Sequence, residues 1–205
     1  DALSVETARD LLGGQMTHRD SLGITQVILP GEVNWMTAGR GISHSERFEH
    51  PASFAGGGLE LLQSWVALPE ADEECAPAFD NYPADALPVA DGDGTWLRLI
   101  AGEAYGLRSP VTTRSPLFYV HAALQAGARM ALPHGHAERA VYVAAGNIEA
   151  AGQIFATGQM IVFARDADTT LRAVDASTVM LLGGESVGPR HIWWNFVSSR
   201  RERIE

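Results

Sequence analysis

The sequence contains a single cysteine, Cys75, in 205 residues. One cysteine cannot form an internal disulfide framework, which favours a reducing compartment over a secreted, disulfide-stapled protein. The chain also lacks an apolar run of membrane-spanning length, and its start lacks the basic, apolar and small-residue segments of a secretory signal. These absences predict a soluble, cytoplasmic protein.

Positive charge is scarce as well. The sequence contains 15 Lys and Arg and 25 Asp and Glu, for a net charge of −10. Proteins that bind nucleic acid need clustered Lys or Arg to neutralise phosphates. The one locally basic segment, residues 200–203, contains its own acid, Glu202. We therefore predict no direct nucleic-acid binding and no membrane binding, and any role in transcription would act through a protein partner.

What the sequence does contain is a series of short apolar runs separated by glycine and proline. Apolar residues make up 46% of the chain and charged residues 20%, which is enough to build cores and argues against disorder. This punctuation is typical of an all-β barrel or sandwich. The candidate strands are 15–18, 25–28, 33–36, 42–47, 59–68, 95–101, 117–124, 139–144, 146–150, 160–163, 170–174 and 178–182.

The strands fall into two sets around an acidic, proline-rich stretch. We predict an N-terminal domain at 1–69, a linker at 70–89 and a C-terminal domain at 90–205. Residues 152–163 echo residues 23–35, since both read as a strand, a tight glycine turn and a second strand. This echo suggests two copies of one β unit. Ser198 or Ser199 could cap a short C-terminal helix that begins at Arg200.

The candidate site in the first half is His44-Ser45-Glu46. Alternate side chains share a face on an extended strand, so His44 and Glu46 would point the same way, roughly 7 Å apart at the backbone. An imidazole and a carboxylate at that spacing can converge on one metal ion. Alone, the pair is half of a metal site.

The residues around this pair resemble those of a known family. The segment 33–42 reads VNWMTAGRGI, and the resemblance continues in 17–23 (THRDSLG), 63–69 (QSWVALP) and 189–199 (PRHIWWNFVSS). Together these segments closely resemble the pirin family, bicupin proteins related to quercetin dioxygenases. The resemblance implies two tandem cupin barrels and one non-haem iron, Fe(II), with other divalent metals possible, in the first barrel.

Family members supply three histidines and one glutamate to that metal, and residue by residue only His44 and Glu46 carry over. The family's His-Pro-His segment has no counterpart, because the first histidine in this sequence is His18. In one alignment residues 5–14 match the strand that follows the segment in pirins. In the other alignment residues 5–11 are the family's opening strand, and a longer stretch before Gln15 has dropped out. Pirins usually continue into a longer tail, so the C-terminus resembles a truncated one.

The other histidines could have either a structural or a metal-binding role. His18 resembles the end of a strand that enters a turn formed by Asp20 and Ser21, and a structural role is favoured over metal ligation. His134 and His136 have the His-x-His spacing of a first cupin motif. The matching histidine near 161–163 is missing, so a vestigial role is favoured over a second metal site. Trp35 and Met36 are expected in a core, whereas Trp193 and Trp194 should pack on opposite faces of a strand.

The resemblance implies an activity with a named role for each site residue. A quercetin 2,3-dioxygenase-like pirin would oxidise a small aromatic, flavonol-like substrate with dioxygen, with His44 and Glu46 as metal ligands. Glu46 would also act as the general base toward a phenolic hydroxyl. Two other functions stay open. One is a non-catalytic, iron-dependent and redox-sensing transcription co-regulator that binds a protein partner; the other is a scaffold that has lost its metal.

Overall fold

The computed structural model describes residues 5–13, 15–48, 60–165 and 167–205, with the backbone alone for 5–13 and 60. The chain divides into two compact units. The first comprises Asp1–Ala86 with Val187–Glu205, and the second is Leu87–Ser186. Within the described ranges the secondary structure is strands and short 3₁₀ turns, so the predicted all-β fold is confirmed. None of the helices described is long and apolar enough to cross a membrane.

Twenty strands are numbered in chain order across the described residues. They are β1 (Val5–Gly13), β2 (Met16–Asp20), β3 (Thr25–Ile28), β4 (Val33–Thr37), β5 (His44–Arg47), β6 (Glu60–Ala67), β7 (Ala78–Tyr82), β8 (Val89–Gly92), β9 (Thr95–Ala104), β10 (Leu107–Arg108), β11 (Leu117–Leu124), β12 (Arg129–Ala131), β13 (Glu138–Ala145), β14 (Asn147–Ala150), β15 (Gln153–Ala156), β16 (Met160–Phe163), β17 (Thr170–Ala173), β18 (Ser177–Gly184), β19 (His191–Trp193) and β20 (Phe196–Ser198).

Each unit is built from two main antiparallel sheets. In the first unit a four-stranded sheet has the order β6-β1-β4-β7 and a three-stranded sheet has the order β3-β2-β5. In the second unit a seven-stranded sheet has the path β10-β9-β11-β18-β13-β16, with β8 paired to β9, and a four-stranded sheet has the order β12-β17-β14-β15. Strands β19 and β20 form a separate hairpin in the first unit.

Six consecutive strands repeat the same connectivity in the two units. In the first unit β1 pairs with β4 and β6, while β2 pairs with β3 and β5. In the second unit β13 pairs with β16 and β18, while β14 pairs with β15 and β17. Strands β1–β6 and β13–β18 are therefore two copies of one folding pattern. The doubled barrel that the internal echo predicted is confirmed.

The echoed glycine turns are the points where the chain changes sheets. Strand β3 belongs to one sheet of the first unit and β4 to the other, and β15 and β16 divide in the same way in the second unit. Gly31 and Gly158 occupy the two turns with φ values of 81° and 86°. Residues with a side chain rarely adopt that left-handed conformation, so glycine allows the tight reversal in both copies.

A large apolar core lies in the second unit between its two sheets. Alternate residues of the large sheet face those of the smaller sheet, as the period of a strand requires. The core side chains are at most 6% exposed and comprise Leu97, Leu99, Phe118, Val120, Ala122, Leu124, Met130, Leu132, Val141, Val143, Ile148, Ala150, Leu171, Ala173, Val179 and Leu181. In the first unit, Trp35 and Met36 are 2% and 1% exposed, which confirms their predicted core positions.

The division into units differs from the predicted boundaries in two places. The stretch predicted as a linker contains β7, which pairs with β4 along five residues, so most of it is integral to the first unit. The segment Val187–Glu205 also belongs to the first unit, whereas the prediction placed it in the second domain. Sequence composition shows neither, because both depend on contacts between distant parts of the chain.

One buried carboxylate explains why the C-terminal segment joins the first unit. Glu73 is 1% exposed, and its carboxylate accepts hydrogen bonds from the Ser198 hydroxyl at 2.9 Å and the Ser199 amide at 2.7 Å. The Arg190 guanidinium lies 3.2 Å away and that of Arg203 lies 4.0 Å away. A buried carboxylate needs such compensation, so this network anchors the segment to the first unit.

The end of the chain departs from prediction in its local structure. The expected C-terminal helix is a single 3₁₀ turn at Arg201–Arg203 without a side-chain cap. Trp193 and Trp194 are 62% and 80% exposed, so the prediction that both pack was wrong. Trp193 pairs with Phe196, which places Trp194 in the two-residue turn of the β19–β20 hairpin with φ 53°. A turn position leaves this side chain no strand face on which to pack.

Candidate functional site

The predicted pair lies on the short strand β5, opposite a second polar pair on β2. In the antiparallel register His44 faces Asp20 and Glu46 faces His18. Side chains directly opposite each other in an antiparallel ladder lie on the same face of the sheet. The three-stranded sheet therefore carries two imidazoles and two carboxylates on one face, within reach of each other.

The His18 ring shows which way this face points. His18 is fully buried, and its ring stacks on Phe79 with 4.2 Å between centroids and 15° between planes. Phe79 belongs to β7 of the four-stranded sheet. The polar face of β2 and β5 is thus turned toward the opposite sheet of the first unit, into the space between the two sheets.

One ring nitrogen of His18 is hydrogen-bonded among the described residues and the other is not. Its Nε2 lies 3.0 Å from Oδ2 of Asp20, and its Nδ1 lies 3.8 Å from Oε1 of Glu46. The Asp20 carboxylate favours the tautomer with the proton on Nε2, because it can only accept a hydrogen bond. The Nδ1 atom then presents a lone pair toward Glu46, and it is buried with no hydrogen-bond partner among the described residues.

Asp20 owes its position to the turn that follows β2. Its Oδ1 accepts hydrogen bonds from the backbone amides of Leu22 at 2.9 Å and Ile24 at 3.1 Å. This is the local turn chemistry expected of an aspartate at the end of a strand. The predicted turn at Asp20 and Ser21 is confirmed, and it orients the carboxylate that holds His18.

His44 completes the cluster beside His18. Their ring centroids are 5.7 Å apart and the rings are nearly parallel, at 21°. Glu46 keeps 20% of its side chain exposed, whereas those of His18 and Asp20 are fully buried. An incoming molecule would therefore meet the Glu46 carboxylate more readily than His18 or Asp20 behind it.

The donor chemistry of this face fits a transition metal in part. Imidazole and carboxylate groups suit non-haem iron and similar ions. Within the part of the chain that the structure describes, however, no three His, Cys, Asp or Glu side chains are arranged to hold one ion. The face supplies donors of the right kind, with His44 and Glu46 at the predicted positions, and the described residues do not complete a coordination shell.

The second repeat is apolar where the first is polar. Its equivalent strands β14 and β17 place Ile148 opposite Ala173. Ala150 and Leu171 lie in the same core, and all four side chains are at most 2% exposed. Hydrocarbon packing on these strands removes the donors that a second metal site would need there.

Sequence reasoning missed the contribution of β2. The structural role predicted for His18 stays a prediction, and the fold adds that its Nδ1 lies 3.8 Å from Oε1 of Glu46 and that its ring stacks beside His44. One signal was present, because His18 and Asp20 have the same i, i+2 spacing as His44 and Glu46. Which strand faces which depends on register, and that comes only from the fold.

Two tandem units with this doubled strand pattern define a bicupin, a chain of two cupin barrels. The Pirin family model matches residues 3–66, and the Pirin C-terminal cupin domain model matches residues 119–205. A "Pirin-like protein" from Caulobacter vibrioides is 51% identical over 204 residues, which cover 99% of this chain and 70% of that protein. The chain belongs to the pirin family, and the resemblance stated from the sequence is confirmed.

Solved structures support the same assignment. A crystal structure of quercetin 2,3-dioxygenase from Acinetobacter baumannii matches with a TM-score of 0.89 and 30% identity, over 99% of this chain and 67% of that one. A bacterial pirin from Escherichia coli, solved in complex with nickel(II), matches with a TM-score of 0.69 and 22% identity, over 88% of this chain and 72% of that one. The second likeness is one of fold. The chain spans about two thirds of the lengths of these proteins.

Proposed function

We propose that the protein containing this chain is a metal-dependent dioxygenase that oxidises a flavonol-like aromatic substrate with dioxygen. The observation that carries the proposal is the side-by-side placement of His44, Glu46 and His18 on the inner face of β2 and β5. The similarity to the Acinetobacter baumannii quercetin 2,3-dioxygenase supports the substrate class.

In this proposal His44 and Glu46 are metal ligands, and Fe(II) is the expected ion, with other divalent metals possible. Bound metal would supply the redox chemistry with dioxygen that protein side chains cannot. Imidazole and carboxylate are suitable ligands for such an ion. The described residues do not complete the shell, so water, substrate or donors outside the described residues would fill the other positions.

Glu46 is the proposed general base. A substrate bound on this face would place a phenolic hydroxyl near the Glu46 carboxylate, which like His44 is partly exposed. Glu46 would accept the hydroxyl proton and leave a phenolate, which is more electron-rich and easier to oxidise. A correctly placed base of this kind contributes about 10²- to 10⁴-fold to the rate.

Asp20 and His18 would limit the space behind Glu46 by packing, since Nδ1 of His18 presents a lone pair and donates no hydrogen bond to the carboxylate. Asp20 fixes the His18 ring through the 3.0 Å contact, and His18 lies beside the Glu46 carboxylate at 3.8 Å. Phe79 closes the other side of the His18 ring and excludes water from it. These neighbours limit the positions that the Glu46 side chain can take.

The test is aerobic turnover of quercetin by the full-length protein loaded with Fe(II), followed by oxygen uptake and loss of the flavonol. Metal content is measured on the same samples. We expect Glu46→Gln to lower turnover at least about 100-fold, as for loss of a general base. His44→Gln should lower bound metal and activity together.

The matched controls are Glu103→Gln and His191→Gln, both at exposed positions on other strands, β9 and β19. They should leave metal content and turnover unchanged. Turnover no higher than an iron-only control would overturn the catalytic proposal. Metal binding without turnover would instead favour the non-catalytic, partner-binding regulator, and absence of metal from the full-length protein would favour the bare scaffold.

A further inference from the structure

A second polar site lies at one mouth of the second barrel. A cavity of about 430 Å³ opens there, lined by His134, Gly135, His136, Ala137, Arg139, Arg165 and Glu185. All of these residues belong to the second unit. The volume falls within the roughly 300–1,000 Å³ typical of small-molecule sites.

Arg139 marks the inner end of this cavity. It alternates along β13 with Val141 and Val143, both of which belong to the core, so its side chain lies on the interior face of the strand. The residue is 4% exposed. An arginine so deeply buried on the inner face of a barrel carries a permanent positive charge into a region that is otherwise apolar.

The described residues satisfy the Arg139 guanidinium only in part. One terminal nitrogen donates to the Pro133 carbonyl at 3.3 Å and the other to the Ala164 carbonyl at 3.5 Å. Its Nε is buried with no hydrogen-bond partner among the described residues. A buried charged donor without an acceptor is costly, so a negatively charged acceptor would stabilise it.

The walls of the cavity add further donors. Arg165 is exposed at the rim, and His136 projects inward with its ring 5.2 Å from that of Phe118. The Nδ1 atom of His136 is buried and has no hydrogen-bond partner in the described ranges. His134 lies at the outer edge, 65% exposed and 3.7 Å from the Asp168 carboxylate.

The balance of charge distinguishes an anion site from a metal site. Among the described residues that line the cavity there are two guanidinium groups, Arg139 and Arg165, and one carboxylate, Glu185; the exposed Asp168 carboxylate lies at the outer edge beside His134. Arginine does not lose its proton in proteins, so Arg139 would repel a divalent cation at short range. The His-x-His spacing of His134 and His136 is therefore not sufficient for metal binding here.

We propose that this cavity binds a small organic anion through a carboxylate or a phosphate group seated on Arg139 and Arg165. Guanidinium groups recognise both kinds of anion through paired hydrogen bonds. His136 would supply an additional hydrogen bond from the wall. The lining residues belong to the second unit, whereas His44 and Glu46 belong to the first, and the proposal does not depend on the dioxygenase activity.

Calorimetric titration of the full-length protein with inorganic phosphate, and separately with benzoate, tests the proposal at constant ionic strength. Histidine-ring NMR on the same samples should show a shift at His136. We expect one of the two anions to bind, and the choice between them identifies the group recognised. Arg165→Gln should weaken that binding about tenfold, as for loss of one charge-assisted contact.

A second variant distinguishes anion binding from cation binding by whether the affinity rises or falls. Glu185→Gln removes the carboxylate from the cavity wall. It should strengthen the binding of an anion severalfold, whereas it would weaken the binding of a divalent cation. Both positions are exposed, so the variants should fold, and Arg129→Gln at another exposed site is the matched charge control. The proposal is overturned if neither anion binds, if Arg129→Gln has the same effect as Arg165→Gln, or if Ni²⁺ binds at His136 instead.

Discussion

Oε1 of Glu46 lies 3.8 Å from Nδ1 of His18, and the other nitrogen of the same ring is held by Asp20 at 3.0 Å. These three side chains form a line that runs from the turn after β2 to the middle of β5. The proposed base therefore lies beside a ring whose position depends on the turn that begins at Asp20. The stability of that turn and the geometry of the site are linked.

Asp20→Ala should destabilise the protein by about 1–3 kcal/mol, because it leaves a buried His18 donor and two backbone amides without their acceptor. Asp20→Asn should cost less, since its amide oxygen can still accept from Leu22 and Ile24. Urea unfolding of both variants measures the difference. Asp85→Ala, at an exposed position, is the control, and equal losses in Asp20→Ala and Asp85→Ala would refute this account of the turn.

Glu73→Gln should destabilise the protein by about 3–5 kcal/mol, the usual cost of breaking a buried ion pair from one side. The substitution leaves the buried guanidinium of Arg190 without its carboxylate. Hydrogen exchange should increase most in His191–Trp193 and Phe196–Ser198, the hairpin of the anchored segment.

The control for Glu73 is its neighbour Glu74, whose side chain is 57% exposed. Surface ion pairs contribute about 0–1 kcal/mol, so Glu74→Gln should have a small effect. If the two variants unfold at the same urea concentration, Glu73 is not the anchor of the C-terminal segment.

Gly183→Ala should destabilise the second unit by about 1–3 kcal/mol through overpacking. A Cβ atom at Gly183 would lie 2.5 Å from the Glu138 carbonyl oxygen and 2.5 Å from Cε1 of Phe118. Gly92→Ala is the matched control, because a Cβ atom there meets nothing within 4 Å. Thermal unfolding of the two variants is the measurement, and a Gly183→Ala protein as stable as the control would contradict the packing described for this end of the barrel.

Asp175 should contribute stability that depends on pH. Hydrogen bonds from the side chain and backbone of Asn147 lower the pKa of this carboxyl below its ordinary 3.8. The folded state therefore favours the ionised form, and the resulting stability is present above the unfolded pKa and lost as the pH falls through the folded pKa.

Unfolding measurements from pH 7 down to pH 2 check this expectation for Asp175→Ala. The difference in unfolding free energy from the wild type should be largest at neutral pH and should shrink on acidification. Asp91→Ala, at an exposed position of β8, should show no such trend. A difference that stays constant across the range would show that the charge of Asp175 plays no part.

Much of the fold could be predicted from local patterns. The strand at Thr25–Ile28 and the strand at Leu117–Leu124 have the predicted bounds, because β-branched or aromatic residues between flanking turns specify a strand over a few residues. The repeated glycine turn predicted the doubled barrel for the same local reason. The predicted linker contains the strand β7. Its proline and acidic residues do not indicate whether a short strand can pair with the edge of a distant sheet, as β7 does with β4.

The candidate site divides in the same way. By itself the sequence determined the pirin family, the all-β class and the position of His44 and Glu46 on one strand, because each of these follows from residue types and spacing within a short segment. Only the tertiary structure decided that His18 and Asp20 face that pair, that Glu73 anchors the C-terminal segment, and that Arg139 lies inside the second barrel. Such arrangements depend on strand register and on contacts between distant segments, which no local pattern encodes.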